Sequence, residues 1–192
     1  MPAPRKHRDA ILASAVKLFR RQGYAATGLA EILNDSGAPK GSLYHYFPAG
    51  KAEIGAEAVA LAGAKVTATL QDLAAEAQDP GELIARYLTL LAGWMRQSGF
   101  RDGCPITTTL LETVPEQDAI RAAGVAAFAG WSDVLEVSAR KSGIAPERAA
   151  KLARFSIAVL EGALIQCRVA GDESPLAEAS AELRALFDAA RP

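Results

Sequence analysis

The sequence predicts an all-α fold, and three observations carry that reading. Apolar residues recur at helical spacing from end to end. Alternating Val/Ile/Thr-rich runs bounded by hairpin turns are missing. Clusters of Gly, Pro, Asn and Asp cut the chain into helix-length pieces.

Taken in order, Ile11, Leu12, Ala15, Leu18 and Phe19 fall on one face of a first amphipathic helix. It is expected to end near Gly23, a residue at ease in the left-handed region. Thr27 is placed to N-cap a short second helix whose buried face is Leu29, Ile32 and Leu33. The stretch "NDSGAP" breaks it, and Pro39 suits the first turn of a third helix over about residues 39–47. On that helix Leu43, Tyr46 and Phe47 share an inward arc, leaving Gly41, Ser42, Tyr44 and His45 outward. A fourth, long Ala-rich helix runs from Lys51 to about residue 77. Helices over about 80–98, 106–113, 116–142, 146–169 and 176–189 complete the chain, separated by "GFRDGCP", "SGIAP" and "AGDESP".

Three short helices with a tight Gly-containing turn before the third describe a helix-turn-helix, whose second motif helix enters the major groove. The charge distribution agrees. Net charge is -1, yet residues 1–51 hold 8 Lys+Arg against 3 Asp+Glu, whereas the remainder holds 13 against 19. No acid interrupts Pro39–Lys51, which suits a polyanion; a generic three-helix bundle with a solvated charged face is the competing reading of the same pattern. Lys40 and Lys51 supply charge at two helix starts, Gly41 allows close backbone approach, and Ser42, Tyr44 and His45 offer groups for phosphate oxygens or base edges. Arg5, Lys6 and Arg8 add a basic arm in this reading.

The stretch "LFRRQGYAATGLAEILNDSGAPKGSLYHYFPAGKAEI" resembles the N-terminal domain of the TetR family of transcriptional regulators, above all in "KGSLYHYF". The resemblance implies a helix-turn-helix DNA-binding domain over residues 1–50 with its motif at 28–47. It implies contacts from Thr27 to phosphate, from Lys40, Gly41 and Ser42 in the groove, from Tyr44 and His45, and from Lys51 to phosphate. The longer loop "FPAGKAEI", with "GCPI" and "LEGALIQCR", is similar to the branch containing repressors of lincomycin resistance and flavonoid-responsive genes. For residues 51–192 it implies a helical ligand-binding and dimerisation domain. The whole would then be a homodimeric repressor released from a palindromic DNA operator by a small-molecule inducer, apolar or aromatic.

In that C-terminal body Trp94, Leu110, Phe128 and Trp131 are large apolar groups that either line a cavity or fill the core. Gln166, like Thr107, Thr108 and Thr109, needs a partner if buried, whether ligand, backbone carbonyl or water. Ala158, Gly162 and Ala163 leave a small-residue groove for close helix approach, and Leu176, Leu183, Leu186 and Phe187 mark the last helix; the two helices are candidates for a four-helix dimer interface. Cys104 and Cys167 lack zinc-site or disulfide spacing, leaving redox sensing as a minor alternative. With two histidines and no phosphate loop, no catalytic residue, metal or cofactor is expected. A cytoplasmic protein with no membrane partner is expected. The competing reading is a small-molecule-binding or interaction protein without sequence-specific DNA binding.

Overall fold

Nine α-helices, and no strand, make up the described part of the computed structural model, residues 5–192, with side chains described from residue 6. They are α1 (Arg5–Gln22), α2 (Leu29–Ser36), α3 (Ser42–Tyr46), α4 (Lys51–Glu76), α5 (Pro80–Gln97), α6 (Pro105–Thr113), α7 (Asp118–Lys141), α8 (Pro146–Ala170) and α9 (Ser174–Ala190). None is long and apolar enough to cross a membrane. The chain divides into two compact units. One holds the residues up to Gly63 together with Cys104–Ala127; the other holds Ala64–Gly103 and Phe128–Pro192.

In the first unit the apolar face of α1 does what its spacing dictates. Ile11, Leu12, Ala15, Leu18 and Phe19 are buried against Ile32 of α2, Leu43 of α3, Phe47, and Ile54 and Ala58 of α4. Each large side chain in this cluster contributes about 1.5–3 kcal/mol of burial free energy. That matters most for α3, whose five residues are too few to be helical alone. The end of α2 is pinned to α1 by polar contacts: the Ser14 hydroxyl donates to Asp35 Oδ2 at 2.7 Å, and Lys17 pairs with the same carboxylate. Those two neighbours hold the Asp35 carboxyl below its ordinary pKa.

Three expectations about local structure are corrected. Gly28, not Thr27, stands at the N-cap of α2, because the Thr27 hydroxyl is turned back to donate to Gly23 O at 2.7 Å. The third helix begins at Ser42, since Pro39 to Gly41 form a turn closed by Ser42 N–H on Pro39 O at 2.9 Å. Lys6 and Arg8 belong to α1 and not to an arm; Arg8 pairs with Glu57 and lies 5.5 Å from the Phe47 ring centroid. The side chain of Arg5 lies outside the described residues.

In the second unit α5 and α8 both pack on α9. Leu83, Ile84, Tyr87, Leu88 and Met95 of α5, Leu160 and Leu164 of α8, and Leu176, Leu183 and Phe187 of α9 are buried there. The start of α5 follows its sequence closely. Pro80 occupies the first turn, Asp79 accepts the Glu82 N–H at 2.8 Å, and Glu82 returns a bond from Gln78 N–H at 2.8 Å. The Asp79 bond satisfies one of the orphan donors at the helix start, and the Glu82 bond ties the residue before the cap to the first turn.

Candidate nucleic-acid interface

The interface is assembled by two glycine-closed turns. Gly23 ends α1 with φ +89°, and Gly37 ends α2 with φ +64°, a region that residues with a Cβ enter only at a cost. Between Gly37 and α3 the chain is anchored by buried Ala38, whose N–H is accepted by the Ser36 hydroxyl at 3.2 Å. Leu43 and Phe47 then lock α3 on the core and turn its other side outward.

That outward side carries Tyr44, 66% exposed, and exposed His45, whose ring meets Tyr46 edge-on at 4.9 Å. Lys40 is exposed just before it, Ser42 is half-buried, and a Cβ on Gly41 would meet nothing within 4 Å. The glycine leaves this spot open to an approaching ligand backbone. Thr27 is placed differently: it is fully buried and its hydroxyl is already given to Gly23 O, so it holds the turn.

Lys51, at the start of α4, lies over the Tyr24 ring with Nζ 4.3 Å from the centroid and 3.4 Å from Ala25 O. Partial burial pushes its pKa down, and the Glu112 carboxylate opposes that shift. Ala49 N–H is accepted by Glu53 at 2.9 Å, which caps the same helix start. Sequence reasoning missed Tyr24 and Glu112. Tyr24 stands immediately after the Gly that ends α1, a cue for an anchoring aromatic; nothing around Glu112 in the sequence singles it out.

The residues considered for a ligand are scattered. Leu110 lies in the first unit with its methyls over Gly124, where a Cβ would meet them at 2.7 Å. In the second unit Trp131 is buried at 2% exposure with Phe128 edge-on at 5.3 Å, while Trp94 is 43% exposed. Gln166 faces outward, because Ala163, Leu164 and Cys167 take the buried arc of α8. Thr108 and Thr109 bond backbone carbonyls, whereas the buried Thr107 hydroxyl has no partner. A groove of ≈ 570 Å³ runs between Thr67–Gln78 and Gly130–Ser142 of the second unit. It mixes Ala74, Val134 and Val137 with Gln71, Asp133 and Lys141. Among the described residues no cluster of His, Cys, Asp or Glu is placed to hold a metal ion.

Comparison with known proteins bears on both parts of the chain. Residues 11–58 match the family described as bacterial regulatory proteins, tetR family, and residues 80–182 match the LmrA/YxaF-like transcriptional regulator C-terminal domain. The HTH-type transcriptional regulator LmrA of Bacillus subtilis is 33% identical over 169 residues, 88% of this chain and 90% of its own. The HTH-type transcriptional regulator Rv0196 of Mycobacterium tuberculosis is 37% identical over 190 residues, 96% of each chain. Among solved structures, a TetR regulatory protein from Rhodobacter sphaeroides superposes with a TM-score of 0.82 at 23% identity, covering 93% of this chain and 97% of that one. Escherichia coli NemR in its reduced form gives 0.82 at 23% identity, covering 92% and 94%. With a helix-turn-helix formed by α2 and α3, these family matches and these relatives, the chain belongs to the TetR family and is a DNA-binding transcriptional regulator.

Proposed function

We propose that this regulator is a homodimeric repressor that reads a palindromic operator through paired α3 helices and is released by a small apolar or aromatic molecule. The observation that carries the DNA-contact surface is the acid-free outward side of Pro39–Lys51, with Tyr44 at 66% exposure. Lys40, Gly41, Ser42, Tyr44 and His45 meet the groove and its phosphates, and Lys51 meets a phosphate across the α1–α2 turn. Thr27 serves this surface by fixing that turn. Residues 1–50 are the DNA-binding domain in this reading, and 51–192 bind ligand and dimerise.

An exposed stripe on α8 supports the dimer. Phe155, Ala158, Gly162, Ile165 and Val169 recur at three- to four-residue spacing, and Val169 is 84% exposed. A Cβ on Gly162 would meet nothing within 4 Å, so a second copy of the helix can approach closely there. For the inducer, the groove volume falls within the roughly 300–1,000 Å³ usual for small-molecule sites. Its mixed lining of Ala74, Val134 and Val137 with Gln71, Asp133 and Lys141 suits an apolar compound bearing polar substituents. Trp94, Leu110, Phe128, Trp131 and Gln166 do not line this groove and stand as separate candidates for ligand contact. Ligand uptake would tilt α4 and spread the two α3 helices, lowering operator affinity about 5- to 150-fold.

The test uses the purified protein and the intergenic DNA beside its own gene, with fluorescence anisotropy at several salt concentrations and an unrelated duplex as control. Tight binding that favours the cognate duplex is expected, and a Tyr44→Ala/Lys51→Ala variant should lose it while remaining dimeric. Unchanged affinity in that variant would overturn the contact surface.

A further inference from the structure

Thr108 and Glu112 stand one turn apart on α6 and therefore share a face. Both reach the end of α1. Thr108 Oγ1 lies 3.2 Å from Phe19 O as well as 2.8 Å from Cys104 O in its own helix, and Phe19 O also accepts the Gly23 N–H at 3.0 Å. Four residues on, the Glu112 carboxylate accepts the Ala25 N–H at 2.6 Å. The carbonyl of that same residue faces Lys51 Nζ at 3.4 Å. Ala25 therefore donates its N–H to a carboxylate from α6 and accepts on its C=O from an ammonium of α4.

The surroundings are shaped for this arrangement. A Cβ on Gly23 would come within 2.5 Å of Glu112 Oε1, so the carboxylate occupies space that only glycine leaves free. A Cβ on Gly55 would meet the Tyr24 ring at 2.8 Å. That ring is seated against Gly55, 5.2 Å from the Phe19 ring centroid, and beneath the Lys51 ammonium. Without Glu112, an exposed peptide and a long flexible side chain would have to find this geometry unaided.

We propose that Glu112 is a positioning residue for DNA binding: it fixes the Tyr24–Ala26 turn so that Lys51 presents its ammonium to a phosphate. The inference rests on the reading of Lys51 as a phosphate contact. It accounts for an acid standing beside a surface meant for a polyanion: the carboxylate is occupied with the Ala25 N–H.

The experiment measures affinity for the same intergenic duplex as a function of salt in wild type, Lys51→Ala, Glu112→Ala, Glu112→Gln and the Lys51→Ala/Glu112→Ala pair. Circular dichroism melts confirm that each is folded. Lys51→Ala is expected to reduce the salt slope by about 1. Glu112→Ala should reduce it in the same direction and weaken binding about fivefold, with no further loss in the pair. Glu112→Gln keeps an oxygen acceptor for Ala25 N–H and should stay within about twofold of wild type. A Lys51→Ala variant with unchanged affinity and slope overturns the phosphate contact and the inference with it. An effective Lys51→Ala beside a silent Glu112→Ala, or full additivity in the pair, overturns the inference alone. So does a Glu112→Gln variant about fivefold or more weaker than wild type, a comparison with wild type that holds even if the alanine variant fails to fold.

Discussion

Replacing Gly23 by alanine tests the packing of α6 on the α1–α2 turn without reference to DNA. Two costs are expected. The backbone sits at φ +89°, where a residue with a Cβ is strained by about 1–2 kcal/mol. The new methyl would also lie 2.5 Å from Glu112 Oε1. A carboxylate at the end of a flexible chain can swing away, so the steric part is relieved by giving up its bond to Ala25 N–H. That bond is solvent-exposed, and its loss costs about 1 kcal/mol. The total is about 2–3 kcal/mol, read as a lower urea midpoint at one fixed protein concentration, since the proposed dimerisation would make the midpoint concentration-dependent. The sharper measurement is the cycle with Glu112→Ala. Once the carboxylate is gone only the backbone strain remains, so the two substitutions together should cost about 1 kcal/mol less than their sum. A Gly23→Ala variant within about 0.5 kcal/mol of wild type, or strict additivity with Glu112→Ala, would refute the contact.

Asp35→Asn should destabilise the protein by about 0.5–1 kcal/mol at neutral pH, a modest figure because the pair with Lys17 is largely exposed and screened. The native carboxyl is held below its unfolded value, so its contribution is present above the ordinary carboxylate pKa of about 3.9 and fades as pH falls through the lowered one. Wild type and variant should therefore converge in acid; a gap persisting there would contradict the assignment. Ile165→Glu on the exposed stripe of α8 should shift the protein from dimer to monomer in sedimentation velocity with helix content unchanged, and a persistent dimer would move the interface elsewhere. In the native protein Cys104 should react with a thiol reagent well before Cys167, because Cys167 is buried and desolvation raises its thiol pKa. Equal rates would contradict that burial.

The sequence was most legible where one periodicity had one meaning. The α1 stripe and the inward pair Leu43 and Phe47 are local patterns, and the structure buries them together. The start of α3 was less legible because a proline serves equally as the first residue of a helix or as part of the turn before it. Thr27 poses the same kind of choice: a hydroxyl between two helices can cap the second or return to the carbonyl that ends the first. In α8 one side of the helix faces the unit's core and another apolar stripe faces outward, so no single polar face marks the exposed side. Aromatic residues in the second unit carry no label for core or cavity, and Trp131 and Trp94 differ only in the packing around them. The Glu112 contact spans 87 residues of chain and depends on a glycine that leaves space, information that no local window holds.

The brevity of α3 has a consequence for how such a regulator can change its target. Its five residues divide sharply: Leu43 is committed to the interior and Tyr46 packs on it, while Ser42, Tyr44 and His45 are turned away from the core. A helix this short is held in shape by those inward residues and not by its own propensity. Variation at positions 42, 44 and 45, with Lys40 just ahead, therefore leaves the scaffold untouched. On the proposed reading of this surface, new operator preferences are open to single substitutions at a few outward positions, and a library randomised there would sample recognition without sampling unfolding.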